Sequence, residues 1–335
     1  MTRRTFISIS IIAILSVMQA GCVRRASNQL LVYCAVDEPY ASDIFADFQK
    51  ETGIVVIPQY DIESSKSVGL AGKLEAEAAH PRADVWWGSE AFLSVRLANE
   101  GVLQPYVSPS AGDIDPQYKD ATGLWTGVGL RARVLAASTK TPPPFAPTSI
   151  EDLADPRLKG KVTMSRPTAG ATGAMLAALY VTWGPEKAQA FCRRLHDNDL
   201  RLVGGNAEVA NAVGMGQFSL GITDSDDCAN AIHDGGKLTM IVPDQGDAQQ
   251  GTLAMPTTVG LVKGSGNDAN AKRLIDYLVS KKVEQRLIDA NFAKWSVRGG
   301  QGVSLKAIKV DYAAAAKVYA QAQREATALL EGREP

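Results

Sequence analysis

LLVYCAVDEPYASDIFADFQKETGIVV, residues 30–56, carries a strand, a helix and a second strand in direct succession. Residues 30–36, LLVYCAV, are apolar throughout, as in a strand covered on both faces. Ile44, Phe45 and Phe48 then share one face of a helix that Gly53 ends. Residues 54–60, IVVIPQY, read as the next strand. Strand, helix and strand in this order form a βαβ unit, so the predicted class is α/β with parallel pairing.

The alternation continues along the chain. Residues 67–81 read as a helix, ADVWWG (83–88) as a strand, and SEAFLSVRLANEG (89–101) as a helix closed by Gly101. LWTGVGLRARVLAAST (124–139) is one long β-rich run, followed by a Pro-rich loop and a short helix from Ser149. VTMS (162–165) is a strand, and two helices over 170–184 and 185–198 lead to a further strand, FSLGITD (218–224). GTLAMPTTVGLVKG (251–264) is a second long β-rich run, and three or four helices close the chain, the last from about Asp311 to Glu331. The two long runs are places where the chain can cross between two lobes. Pro256 predicts an edge or hinge position for the second of them. Trp86 and Trp87 fall on opposite faces of their strand, one for the core and one a candidate to line a cleft.

The chain begins MTRRTFISISIIAILSVMQAGC (1–22). Arg3 and Arg4 precede an apolar stretch from Ile7 to Met18, too short to span a bilayer comfortably, and the small residues Ala20 and Gly21 precede Cys22. Residues 1–21 therefore read as an export signal. Small residues abutting a cysteine resemble the bacterial lipoprotein box, with Gln19 in place of its usual leucine. That resemblance makes Cys22 the lipidated first residue and residues 22–28 its tether. TRRTFI also resembles a twin-arginine signal, so the general and the twin-arginine export routes both stay open.

Residues 1–21 hold two arginines and no acid, so the remainder sets 33 Lys and Arg against 36 Asp and Glu. A chain this close to neutral gives no electrostatic case for nucleic acid. No second apolar stretch approaches the ~18 residues of a membrane span, which leaves the lipid as the only membrane contact. Cys34, Cys192 and Cys228 are odd in number, so at least one thiol is free, with Cys34 expected in the core. His80, His196 and His233 are scattered and show no zinc spacing with the cysteines.

In open α/β sheets a ligand sits beyond the carboxyl ends of the strands. Five segments fall there: DEPY (37–40), GSE (88–90), RPTAGATG (166–173), GGNAE (204–208) and TDSDD (223–227). They supply Asp37, Glu38, Glu90, Asp224, Asp226 and Asp227. Thr168, Gly170, Thr172 and Gly173 open a helix whose bare backbone N–H groups suit an anion, and Arg166 adds a positive charge. The same residues also fit an ordinary loop with Thr168 or Thr172 as the cap. TDSDD and Glu90 equally fit acids of a first helical turn. Carboxylates gathered in a closed cleft carry a heavy desolvation cost, so a cation is expected among them.

LLVYCAVDEPYASDIFADFQKETGIVV, ADVWWGSEAFLSVRLANEGVLQPY, GLRARVLAAST, RPTAGATGAM and GTLAMPTTVGLVKG, in this order, resemble the ferric-ion-type periplasmic solute-binding proteins of ABC importers. The resemblance runs over nearly the whole chain after the export signal. It implies the type II two-lobed periplasmic-binding-protein fold, each lobe a mixed sheet flanked by helices, joined by two β crossovers. Lobe 1 would comprise residues 29–126 plus 257–305, and lobe 2 residues 127–256 plus 306–335. The same broad group includes proteins for phosphorylated sugars, aminoethylphosphonate and thiamine.

Carried over position by position, the family's acidic ligand after the third strand falls on Glu90. Its polar ligand after the first strand falls on Asp37 or Glu38. The anion-binding turn falls on Thr168, Ala169, Gly170 and Ala171, and a further anion contact on Asn206. The family's adjacent tyrosine ligands are replaced here by Asp226 and Asp227, which keep hard oxygens but lose phenolate donation and also suit Ca²⁺, Mg²⁺ or an ammonium group. The resemblance thus implies an acidic half-site of Asp37, Glu90, Asp226 and Asp227, with Asp224 beside them, and an anionic half-site of Thr168 to Gly173 with Asn206. Two ligand kinds fit: ferric iron or another hard metal with phosphate or carbonate, and a zwitterion whose ammonium meets the carboxylates and whose phosphonate or phosphate meets the helix start. The protein would work as a monomer with an inner-membrane permease, or report its ligand to a membrane sensor. An enzyme is disfavoured, since G-x-S-x-G, H-E-x-x-H and any Cys/His pairing are missing.

Overall fold

The computed structural model describes residues 28–61, 68–168, 170–298 and 305–334. The export signal, Cys22 and Ala169 lie outside the described residues. The elements run β1 (Gln29–Cys34), α1 (Glu38–Thr52), β2 (Val55–Tyr60), α2 (Val68–Ala76), β3 (Val85–Gly88), α3 (Ala91–Asn99), β4 (Leu103–Gln104), β5 (Thr126–Ser138), β6 (Val162–Ser165), α4 (Gly170–Thr182), α5 (Pro185–Asp197), β7 (Arg201–Val203), α6 (Asn206–Gly214), β8 (Leu220–Asp224), α7 (Ser225–His233), β9 (Leu238–Ile241), β10 (Ala254–Val262), α8 (Asp268–Leu278), α9 (Lys281–Asp289) and α10 (Tyr312–Leu330).

The opening βαβ unit forms as its sequence dictates. β1 pairs in parallel with β2 and with β3. α1 buries Ala41, Ile44, Phe45 and Phe48, and Gly53 ends it in the left-handed region (φ 72°) with its N–H on the Gln49 carbonyl. The sheet order is β2-β1-β3-β10-β5-β8-β6-β7, with β4 on β10 and β9 on β5.

β5 joins the two ends of this sheet. From Thr126 to Ala132 it pairs with β10, and from Arg133 to Ala137 it pairs with β8. The handover between Ala132 and Arg133 is the crossover that its length implied. β10 lies inside the sheet, between β3 and β5, which corrects the edge reading of Pro256 for the strand as a whole. Locally the physics holds: β3 covers β10 only from Thr258 to Leu261, and the β5 register shifts between Pro256 and Thr257. Proline therefore sits where only one neighbour asks for a ladder bond.

One apolar core lies under β1, β3, β10 and the first half of β5, covered by α1, α8 and α9. A second lies between β6, β8, α4, α5 and α10. Trp86 and Trp87 are both fully buried, so neither lines a cleft. The Trp86 indole donates to Ser94, and Trp87 meets the Phe45 ring edge-on. Cys34, Cys192 and Cys228 are all buried in the interior, and burial pushes the Cys192 and Cys228 thiols up to about 12. No helix among the described residues is long and apolar enough to cross a membrane.

Candidate functional site

Arg131 and Arg133 are two residues apart on β5, so their side chains leave the same face. The β5–β8 register sets Arg133 directly opposite Asp224, the last residue of β8. Arg133 Nη1 donates to Asp224 Oδ1 at 2.7 Å. Arg131 Nη1 lies 3.1 Å from Asp226 Oδ2 and 3.6 Å from Asp224 Oδ2. Its Nη2 donates to the Ser89 carbonyl at 2.8 Å, at the end of β3. Asp224 stands at the cap position of α7 but makes no capping bond with its side chain. Its carboxylate turns to the arginines instead.

Around this centre Asp224, Asp226 and Asp227 each offer an oxygen, all within 4.8 Å of one another. Asp224 and Asp226 are buried and Asp227 is half-buried. The Arg131 guanidinium lies 5.0 Å over the Phe292 ring, whose centroid is 4.8 Å from that of Tyr40. Asn230 Nδ2 donates to the Tyr40 hydroxyl at 2.8 Å. Burial works against the charge of Arg131, but Asp226, Asp224, Asp37 and Asp227 outweigh it and hold the guanidinium above its ordinary range. Burial, with Asp226, Asp37 and Asp227 behind it, raises the Tyr40 phenol, and the Asn230 bond offsets only part of this.

On the other side of Arg133 lies the expected anion turn. Gly170 opens α4 in the left-handed region (φ 61°). Arg133 Nη2 reaches Thr172 Oγ1 at 3.3 Å and the Ile222 carbonyl at 3.3 Å. Asn206 Oδ1 accepts from Arg133 Nη1 at 3.0 Å and from Ser165 at 2.9 Å, while its Nδ2 donates to Asp224 Oδ2 at 3.3 Å. Thr172, Asn206 and Asp224 are thereby one network with Arg133 at its hub, buried except at the half-buried Asn206. Thr168 and Arg166 are exposed, and Arg166 pairs with Glu331 near the end of the chain.

Glu90 is fully buried as the cap of α3, accepting from the Phe92 and Leu93 N–H groups. Burial pushes its carboxyl up to about 7 against those two hydrogen bonds. Asp37 stands at the cap position of α1 without a capping bond from its side chain, and Glu38 is exposed. The fold thus gathers Asp37, Asp224, Asp226 and Asp227 around Arg131, and Thr172 and Asn206 around Arg133.

Sequence reasoning missed Arg131, Arg133, Tyr40 and Asn230. A signal was present for the arginines. Two cations alternating in an apolar strand need buried partners, and TDSDD is the densest source of them in the chain.

A family described as bacterial extracellular solute-binding protein matches residues 83–314. Iron uptake protein A1 of Synechocystis is 27% identical over 264 residues, 75% of this chain and 71% of that protein. A putative 2-aminoethylphosphonate-binding periplasmic protein of Salmonella typhimurium is 24% identical over 292 residues, 85% of this chain and 84% of that one. Among solved structures, iron-bound HitA of Pseudomonas aeruginosa superposes with a TM-score of 0.78 at 21% identity, covering 89% of this chain and 99% of that one. That likeness gives the two-lobed binding-protein fold, and the family match gives the class: this chain belongs to the bacterial extracellular solute-binding proteins.

Proposed function

We propose that this protein delivers a hard metal ion, ferric iron with phosphate or carbonate, to the inner-membrane permease of an ABC importer. The observation that carries the reading is the set of carboxylate oxygens of Asp224, Asp226 and Asp227 within 4.8 Å of one another at the head of α7. Hard oxygen donors in such a group suit a hard cation. An iron uptake protein among the relatives, and an iron-bound protein among those of the same fold, agree with it. Asp37, Asp226 and Asp227 supply the metal oxygens, with Glu90 behind them as the cap of α3. The anion meets the α4 turn at Thr168, Gly170 and Thr172, near Asn206 and Arg166. Residues 29–126 plus 257–305 and residues 127–256 plus 306–335 are the two lobes, and β5 flexes between them. The monomer is exported by residues 1–21 and tethered through lipid on Cys22.

Mass spectrometry of residues 23–335, native and then denatured, tests the cargo, with metal analysis on the same sample. About one iron per chain supports the reading. A metal-free chain carrying a phosphorus-containing organic solute overturns it.

That outcome is the second reading: an aminoethylphosphonate or sugar phosphate ligand. Arg131 and Arg133 favour it, because they already offset much of the acidic charge and leave a cluster suited to an ammonium group. A phosphonate-binding relative is in keeping with it.

A further inference from the structure

We propose that Arg131 is a resident cation that sets how much positive charge the cleft accepts in its ligand. The inference rests on the metal reading above and adds a selectivity to it. Arg131 is held from several directions. Its side chain is 4% exposed, with Nη1 on Asp226 at 3.1 Å and Nη2 on the Ser89 carbonyl at 2.8 Å. Phe292 lies under the guanidinium plane at 5.0 Å. A side chain fixed by β3, α7 and the segment after α9 does not swing away when a ligand arrives. Any cation entering beside Asp226 and Asp227 therefore meets one positive charge already in place.

The repulsion this adds grows in proportion to the charge of the entering ion. A second cation a few ångströms away in a partly buried site is penalised by about tenfold or more in affinity per unit of its charge. A trivalent ion loses one such factor more than a divalent ion. With Arg133 neutralised by Asp224, the four carboxylates and two arginines leave a modest negative charge. That suits a divalent ion, or a trivalent ion that brings its own anion.

The test compares Ga³⁺ and Mn²⁺ in bicarbonate buffer, by competition calorimetry on the soluble chain, in wild type, Arg131→Gln, Arg131→Lys and Arg131→Met with Asp226→Asn. Glutamine keeps an amide donor for the Ser89 carbonyl and removes the charge. The expected result is a Ga³⁺ to Mn²⁺ affinity ratio about tenfold or more higher in Arg131→Gln. Arg131→Lys holds the wild-type ratio. The double variant deletes one charge of each sign and strands no buried charge if the single variant folds poorly. It also loses a metal oxygen at Asp226, so both affinities fall while their ratio returns close to that of the wild type. Equal loss of both affinities in Arg131→Gln, with the ratio unchanged, reduces Arg131 to a support for Asp226 and overturns the inference alone. A wild-type chain that binds neither ion overturns the metal reading and the inference with it.

Discussion

Arg133 and Asp224 face each other as a register pair across β5 and β8, joined by a 2.7 Å hydrogen bond with both side chains buried. The pair stands just past the point where β5 leaves β10 for β8, so it ties the head of α7 to the crossover strand. Asn206 and Thr172 share the same guanidinium, which fixes the starts of α4 and α6 to that point as well. Three helix starts are thereby referred to one side chain.

Breaking this pair from one side leaves a buried charge without its counter-ion, which costs about 3–5 kcal/mol. Asp224→Asn should destabilise the protein by that order, read from urea unfolding at pH 7. Adding Arg133→Met to it should recover part of the loss, because neutral groups then replace both charges. Strict additivity of the two changes would show that they do not act as a pair.

Glu90 gives a stability that falls as pH rises. Its usual value is 4.5, and burial pushes it up to about 7 in the folded chain. Between those values the folded state keeps a proton that the unfolded chain releases. The contribution is therefore full below pH 4.5 and is lost as pH rises through about 7. Glu90→Gln stays neutral and keeps an oxygen for the α3 N–H groups. Its stability relative to wild type should rise by on the order of 3 kcal/mol between pH 4.5 and 8. Paired urea melts at those two pH values check this, and parallel behaviour of the two proteins would sink it.

Gly173 is required by a close approach. A Cβ there would stand 2.8 Å from the Tyr319 hydroxyl and 3.3 Å from the Pro167 carbonyl. Tyr319 is buried on α10 against Phe92, so its ring cannot move aside freely. Gly173→Ala should cost about 1–3 kcal/mol, as overpacking does. Tyr319→Phe in the same chain should relieve most of it, since it gives up only a 3.4 Å contact to the Gly170 carbonyl. Thermal unfolding of the two variants decides the point; no relief in the double variant would place the strain elsewhere.

The fold was legible because its signals are local. The apolar run at residues 30–36, the helical face of Ile44, Phe45 and Phe48, and Gly53 determine β1 and α1 without help from distant residues. The short strands β4 and β9 went unread, and β7 was implied only by the placing of GGNAE at a strand end, since two to four residues carry no clear period and neighbours in the sheet make them strands. The acidic side of the site was legible from TDSDD. Its arginines were not, because their meaning lies in the β5–β8 register, which pairs residues 91 positions apart. The expectation that one of Trp86 and Trp87 lines a cleft failed for a similar reason: alternation puts them on opposite faces, and only distant packing, such as Phe45 on Trp87, shows that both faces are closed.

Asp226 and Asp227 are neighbours with different duties, and substitution separates them. Asp226 is buried on Arg131, so Asp226→Asn strands that guanidinium and should cost about 3–5 kcal/mol of stability as well as ligand affinity. Asp227 is half-buried at the same cluster. A partly solvated carboxylate contributes about 1 kcal/mol or less to folding. Asp227→Asn should therefore leave the unfolding midpoint in urea nearly unchanged while weakening cation binding by about tenfold or more, the equivalent of 1.4 kcal/mol. Calorimetric titration with Ga³⁺ beside urea unfolding of each variant gives both readouts. Equal stability losses in the two variants would mean that Asp227 is as deeply committed to the fold as Asp226. An unchanged affinity in Asp227→Asn would remove it from the ligand's surroundings.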